Sequence, residues 1–231
     1  MNKEAGKRAA ALKAIDYVSP NMTLGLGTGS TAKYFVEALA PKINEGWCLK
    51  GVPTSDATDA LARSIGIEII VPDETTQIDL AVDGTDEADP DRNLIKGGGG
   101  ALLREKIVAS TAKKFVVIAD KSKRVVQLGA FALPVEVDPF GWALTVAKMR
   151  TLFQQHGFNN PALELRALDG MPVKSDGNHL LIDCHLGAIT DPAALDKLLT
   201  AIPGVIETGL FCKLADVIIY GDETGISVDG G

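Results

Sequence analysis

The chain is poor in the residues on which metal binding and nucleophilic catalysis usually rest. Its three cysteines, Cys48, Cys184 and Cys212, stand far apart. They form no C-x-x-C pair, so neither a zinc-site spacing nor a cysteine-nucleophile motif is present. They read as small buried hydrophobes of a reducing compartment. The three histidines are no more informative. His156 precedes Gly157 where a helix would end, a normal place for a cation. His179 and His185 belong to a strand-like stretch, HLLIDCH. Proton chemistry in this chain therefore falls to carboxylates. Long apolar runs are also missing, which excludes a membrane-spanning helix. The first residues, MNKEAGKRAAALKAI, lack the apolar region of a secretory signal and read as an amphipathic helix. The expected setting is the cytoplasm. A surplus of positive charge is absent too: the net charge is −7, which argues against a general nucleic-acid surface. A phosphate site needs only a few lysines and backbone amides, so it remains open.

What is present is an alternation of short apolar runs with helical patterns. Strands are expected in MTLGLG, LKGVPT, IEIIV, IDLAVDG and FVVIAD, with helices over Ser30 to Leu39, Asp56 to Ile65 and Gly100 to Lys113. Several of the strands are continuous apolar runs, as in a parallel sheet covered on both faces. This predicts an α/β, doubly wound, mostly parallel (Rossmann-like) sheet domain. After residue 128 the pattern changes. LPVEV, ALELRA, HLLIDC and VIETGLF read as strands, with helices over Trp142 to Gln155 and Pro192 to Ala201. Asp191 is placed to cap the second of these helices, with Pro192 at its first position. The order β-α-β-β-α-β is that of an α+β ferredoxin-like domain. ADVIIYG then resembles another strand of the first sheet. The expected division is residues 1–128 with 207–231, and an inserted domain over 129–206.

Four segments suited to a sugar phosphate fall where a parallel strand is expected to end: GLGTGST, DGTDEAD, KGGGGALLREK and ADKSK. Open α/β sheets bind ligands outside the carboxyl ends of their strands. In the first segment the glycines allow backbone amides to approach an anion at a helix start, and Thr28, Ser30 and Thr31 add hydroxyls. The competing reading is a tight turn with Ser30 as the helix cap. A dinucleotide fingerprint is incomplete, because Ser30 replaces its third glycine and Thr54 and Ser55 end the second strand without an acid. Walker A spacing is absent. Asp83 and Asp86 stand at a strand end with Gly84 between them, as sugar-binding carboxylates or as turn residues. Glu87 and Asp89 are expected in solvent.

KGGGGALLREK is the most specific segment. Four glycines in a row are costly in backbone entropy and imply positive φ angles or a ligand lying on the backbone. On the helix that follows, Leu103, Ile107 and Thr111 are the expected core stripe, and Glu105 points toward the side of Ala101, Ala109 and Ala112. A carboxylate base, a nearby lysine, two aspartates and a phosphate cradle suit proton abstraction next to a carbonyl on a phosphorylated sugar.

These four motifs, in this order and spacing, resemble those of ribose-5-phosphate isomerase of the A type, and the likeness runs along nearly the whole chain, including AIPGVIETGLF. The resemblance implies an aldose–ketose isomerase acting on D-ribose 5-phosphate and D-ribulose 5-phosphate. It implies Glu105 as general base, Lys96 at the reacting oxygens, and Asp83 and Asp86 orienting hydroxyls and assisting ring opening or proton transfer between oxygens. It implies substrate contacts from Thr28, Gly29, Ser30 and Thr31, from Gly84 and Thr85, from Gly97, Gly98 and Gly99, and from Lys123 and Lys7. No metal and no nucleotide cofactor are implied, and a homodimer or homotetramer is. Thr85 and Gly100 stand where the family more often has alanine. The alternative is a sugar-phosphate sensor without turnover. Such sensors usually carry a DNA-binding segment, which has no counterpart here, and could dispense with Glu105 and Lys96.

Overall fold

The computed structural model describes residues 3–230, and contacts divide the chain into two compact units. The first comprises residues up to Thr85, Arg104–Arg124 and Lys213 onward; the second comprises Asp86–Leu103 and Val125–Cys212. The second thus takes in 86–103 beside the stretch drawn from the sequence.

The first unit is built on a seven-stranded sheet. Its order across the sheet is 225–230, 217–222, 115–120, 80–83, 23–26, 50–53, 68–69. Every pairing is parallel except that of the last strand, Gly225–Gly230, which runs antiparallel to Val217–Asp222. Counted along the chain, the six parallel strands lie in the order 3-2-1-4-5-6, that of dinucleotide-binding sheets. The strand order reverses between Thr23–Leu26 and Leu80–Asp83, so the ligand crevice of the fold is due at Gly27 and Asp83. Leu24, Leu26, Val82, Val116 and Ile118 are fully buried beside Phe35 of a covering helix. Burying each such side chain stabilises the fold by about 1.5–3 kcal/mol. The expected helices are present as Ser30–Ala38, Asp56–Ser64 and Leu102–Thr111. The opening helix is present as Lys3–Ala14; Met1 and Asn2 lie outside the described residues.

The second unit holds a four-stranded antiparallel sheet in the order 205–208, 133–137, 180–185, 162–165, with helices Trp142–Gln155 and Pro192–Thr200. This is the expected split β-α-β arrangement. Asp191 caps the second helix by accepting from Ala194 N at 3.0 Å, and His156 ends the first. VIETGLF breaks at Gly209 into Val205–Thr208 and Leu210–Phe211. A Cβ at Gly209 would overlap the Lys96 carbonyl, and the Gly209 carbonyl accepts from Lys96 N at 2.8 Å. Leu210–Phe211 accordingly joins a second small sheet with Leu94–Ile95 and Glu87–Ala88.

Cys184 is buried, and burial, aided by the Asp183 charge, pushes its thiol far above the usual range. Cys48, in contrast to expectation, is exposed. Among the described residues no helix is long and apolar enough to cross a membrane.

Candidate active site

The loop after Thr23–Leu26 owes its shape to atoms that leave no room for side chains. A Cβ at Gly27 would overlap the Asp83 carboxylate, and one at Gly25 would overlap Val108 of the helix Leu102–Thr111. Asp83 is buried, and its Oδ1 accepts from Thr28 N at 3.1 Å and from Gly84 N at 2.7 Å. The Thr28 hydroxyl is engaged within the protein, 2.7 Å from Thr54 Oγ1. Thr58 Oγ1 donates to Gly27 O at 3.0 Å. Thr54 and Thr58 therefore hold the loop from below, a role without a sequence signal, since threonines after a strand resemble ordinary helix-start residues. Ser55 is the cap there, accepting from Thr58 N at 3.2 Å.

The helix after this loop starts at Ser30, and its cap is Gly29 with φ +102°, so Ser30 is not the cap. No side chain caps this end. Its first amides and the exposed Ser30 hydroxyl thus face outward at the positive end of the helix dipole, a site for an anion.

Glu105 overturns the expected orientation of its helix. Leu102, Glu105, Val108 and Ala109 are the buried face, whereas Ile107 is 54% exposed and Thr111 lies at the surface. The sequence LLREKIV permits two stripes, and the one with more apolar atoms loses because Gly25 admits Val108 against the sheet. Glu105 is consequently only 4% exposed. Gly25, Gly27, Asp83, Glu105 and Ala109 border one small gap in the packing. Asp83 and Glu105, both buried, thus border the same gap at the reversal of strand order, which precedes an uncapped helix N-terminus.

The cationic residues divide. Lys121 pairs with Asp222 at 2.9 Å and is committed there. Lys123 is half-buried, in a turn held by Asp120, which accepts from Ser122 N at 3.1 Å. Lys7 pairs with Glu4 at 2.7 Å, and Glu4 also accepts from the Tyr34 hydroxyl at 2.7 Å. The helix carrying Lys7 lies close against the sheet because a Cβ at Gly6 would overlap Gly221 O, at the carboxyl end of Val217–Asp222.

In the second unit the glycine run follows the antiparallel strand Leu94–Ile95, not a parallel one. Gly97 and Gly100 have φ of +102° and +84°, which accounts for two of the four glycines. Gly98 N donates to Asp86 Oδ2 at 2.8 Å, and a Cβ at Gly98 would stand 2.8 Å from Asp86 Oδ1. Gly99 is exposed. Lys96 is 2% exposed, with its ammonium 5.4 Å from the Phe211 ring centroid. Gly84 and Thr85 are half-buried after Asp83. Glu87, expected in solvent, is buried: it accepts from Gly129 N and Phe131 N, both at 2.6 Å. Asp89 holds the turn before Asn93, accepting from its backbone N at 2.8 Å.

The profile of ribose 5-phosphate isomerase A (phosphoriboisomerase A) matches residues 50–225. A protein of Nitrobacter hamburgensis named ribose-5-phosphate isomerase A is 49% identical over 228 residues, covering 99% of this chain and 98% of that one. The solved ribose 5-phosphate isomerase of Plasmodium falciparum superposes with a TM-score of 0.93 at 32% identity, covering 99% of each chain. A solved D-ribose-5-phosphate isomerase in complex with phospho-erythronic acid superposes with a TM-score of 0.91 at 37% identity, over 100% of both chains.

Proposed function

The chain belongs to the ribose 5-phosphate isomerase A family, and we propose that Glu105 is the base of its aldose–ketose isomerisation. The reaction interconverts D-ribose 5-phosphate and D-ribulose 5-phosphate. Glu105 takes the proton from C2 of the open-chain aldose and returns it to C1 of the enediolate. The proton of the C2 hydroxyl passes to the C1 oxygen, a transfer assigned to Asp83 and Asp86. Lys96 is assigned to the oxygens on which negative charge develops, where a fixed cation lowers the barrier most. The outward amides and hydroxyls of Gly29, Ser30 and Thr31 take the phosphate, with Lys123 and Lys7 as its cations. Thr28 shapes that loop, and Gly84, Thr85 and Gly97 to Gly99 offer backbone to the sugar. The observation that carries this reading is the burial of Asp83 and Glu105 around one small gap at the strand-order reversal. A sensor without turnover has no comparable need of two buried carboxylates around one gap.

The test is ketose formation from D-ribose 5-phosphate with EDTA present and no nucleotide added. Glu105→Gln is expected to lower kcat by roughly 10²- to 10⁴-fold and to keep binding of the sugar phosphate. Turnover near wild type would remove Glu105 from the role. Turnover absent from the folded wild-type protein, with binding kept, would establish the sensor instead.

We further propose a cytoplasmic homodimer. The exposed Phe140 and Leu144 of the second unit offer an apolar patch for such a contact. Light scattering on the purified chain checks this: a monomer overturns it, and a tetramer revises it upward.

A further inference from the structure

Arg166 has no place in the proposed chemistry, yet all three of its guanidinium nitrogens are committed within the second unit. It follows the strand Ala162–Leu165, and its side chain is 16% exposed. Its Nε donates to Asp183 Oδ2 at 2.9 Å and its Nη2 to Asp183 Oδ1 at 2.5 Å, a bidentate fork. The remaining nitrogen, Nη1, donates to two backbone carbonyls of the glycine run, Gly97 O at 2.9 Å and Gly98 O at 3.2 Å. One guanidinium thus joins a strand-borne carboxylate to the backbone of the glycine run.

The consequence follows from the planarity of the peptide. In a trans peptide the carbonyl and the next N–H point in opposite directions. Fixing the Gly97 carbonyl on Arg166 therefore turns the Gly98 N–H the other way, and that N–H is the donor to Asp86 Oδ2 at 2.8 Å. Glycine does not hold this orientation by itself, because it adopts positive and negative φ with similar ease. Fixing the Gly98 carbonyl turns the Gly99 amide away from Arg166 in the same manner.

We infer that Arg166 is a positioning residue for the isomerisation: through the peptides of Gly97 and Gly98 it sets the orientation of the Asp86 carboxylate. Asp183 is its anchor. The inference rests on the assignment of Asp86 above. A lysine at this position keeps the charge but lacks the rigid fork needed to meet Asp183 and two carbonyls together.

The test is a double-mutant cycle of Arg166→Lys with Asp86→Asn, read as kcat and KM on D-ribose 5-phosphate, with thermal melting to confirm folding. Arg166→Lys is expected to lower kcat by about 10- to 100-fold, the range of a displaced catalytic group. In the Asp86→Asn background the same change is expected to cost little more, because the group it positions is already altered. Asp183→Asn, which leaves one acceptor oxygen instead of two, is expected to lower kcat in the same direction by less, and it tests the inference if Arg166→Lys fails to fold. Losses that multiply independently, or unchanged kcat in the folded Arg166→Lys and Asp183→Asn variants, overturn the inference while leaving Asp86 in place. If Asp86→Asn itself leaves turnover intact, the assignment of Asp86 falls and the inference with it.

Discussion

At the scale of single residues, the informative positions are those where a side chain is forbidden. Gly27 is occupied from outside by the Asp83 carboxylate and backbone. Gly27→Ala is therefore expected to cost about 1–3 kcal/mol, as overpacking does, and to lower kcat by moving Asp83. Urea unfolding and turnover, measured together, check both parts; a variant with wild-type midpoint and kcat would contradict the geometry. Gly84 is the contrast. A Cβ there would meet nothing nearer than Thr31 Cβ at 3.8 Å, so the protein itself has room for it. Gly84→Ala is expected to keep its stability within about 0.5 kcal/mol, as substitutions away from special features do, and to raise KM if the sugar lies against that backbone. An unchanged KM would remove Gly84 from the substrate site. Both glycines were visible in the sequence as turn residues, but which of them is filled by a neighbour was not, because the neighbour of Gly27, Asp83, lies at the end of a different strand. Glu105 shows the same limit. Its chemical type was legible, but its burial was not, because amphipathic counting assigns carboxylates to solvent and Gly25 decides the face.

At the scale of elements, the strands and helices with apolar cores were legible from period and punctuation, and those without were not. The edge strand Gly225–Gly230 is mostly exposed and carries GISVDG, a pattern no different from a turn. Arg166 was legible only as part of ALELRA; its reach to Gly97 and Gly98 depends on the pairing of 162–165 with 180–185, which brings Asp183 alongside. The N-terminal helix was legible as amphipathic, but its contact was not. It approaches the sheet through a glycine-on-glycine contact, Gly6 on Gly221, each of which would overlap the other's carbonyl if it carried a Cβ. Gly6→Ala should therefore displace the helix that carries Lys7. The expected result is a KM raised several-fold with kcat little changed, since Lys7 is assigned to the phosphate and not to the reacting carbons, together with a lower melting temperature. A KM at the wild-type value in a destabilised variant would show that the helix serves folding alone and would take Lys7 out of the phosphate site.

At the scale of the whole molecule, the order of four motifs along the chain was enough to point to the family, and the sheet topology brings two of them together at the ends of strands 23–26 and 80–83. The sequence carried no comparable signal for how the opposite, amino-terminal ends of these strands are tied. There Asp79 accepts from Thr23 N at 3.0 Å and from Lys113 Nζ at 2.8 Å. Lys113, and then the Thr23 amide, hold its carboxyl below the usual aspartate range. The sign of the effect follows. A carboxylate whose folded pKa lies below its unfolded value adds stability that is fully present above the unfolded pKa, about 3.9, and is lost as pH falls through the folded value. Asp222, held well below its ordinary range by Thr224 and Lys121, acts in the same direction. Unfolding free energy is therefore expected to be flat near neutrality and to drop below about pH 4. Asp79→Asn should lower stability at pH 7 and make the acid limb shallower, since a group that no longer titrates cannot contribute to the slope. High salt should shrink the difference between the two proteins, because the Lys113 side chain is 60% exposed. Because Asp79 lies before its strand and the crevice lies after it, kcat of the folded variant should match wild type. Parallel acid limbs for Asp79→Asn and wild type would show that this ion pair contributes nothing to acid unfolding, and would leave the origin of that limb with Asp222 and the remaining carboxylates.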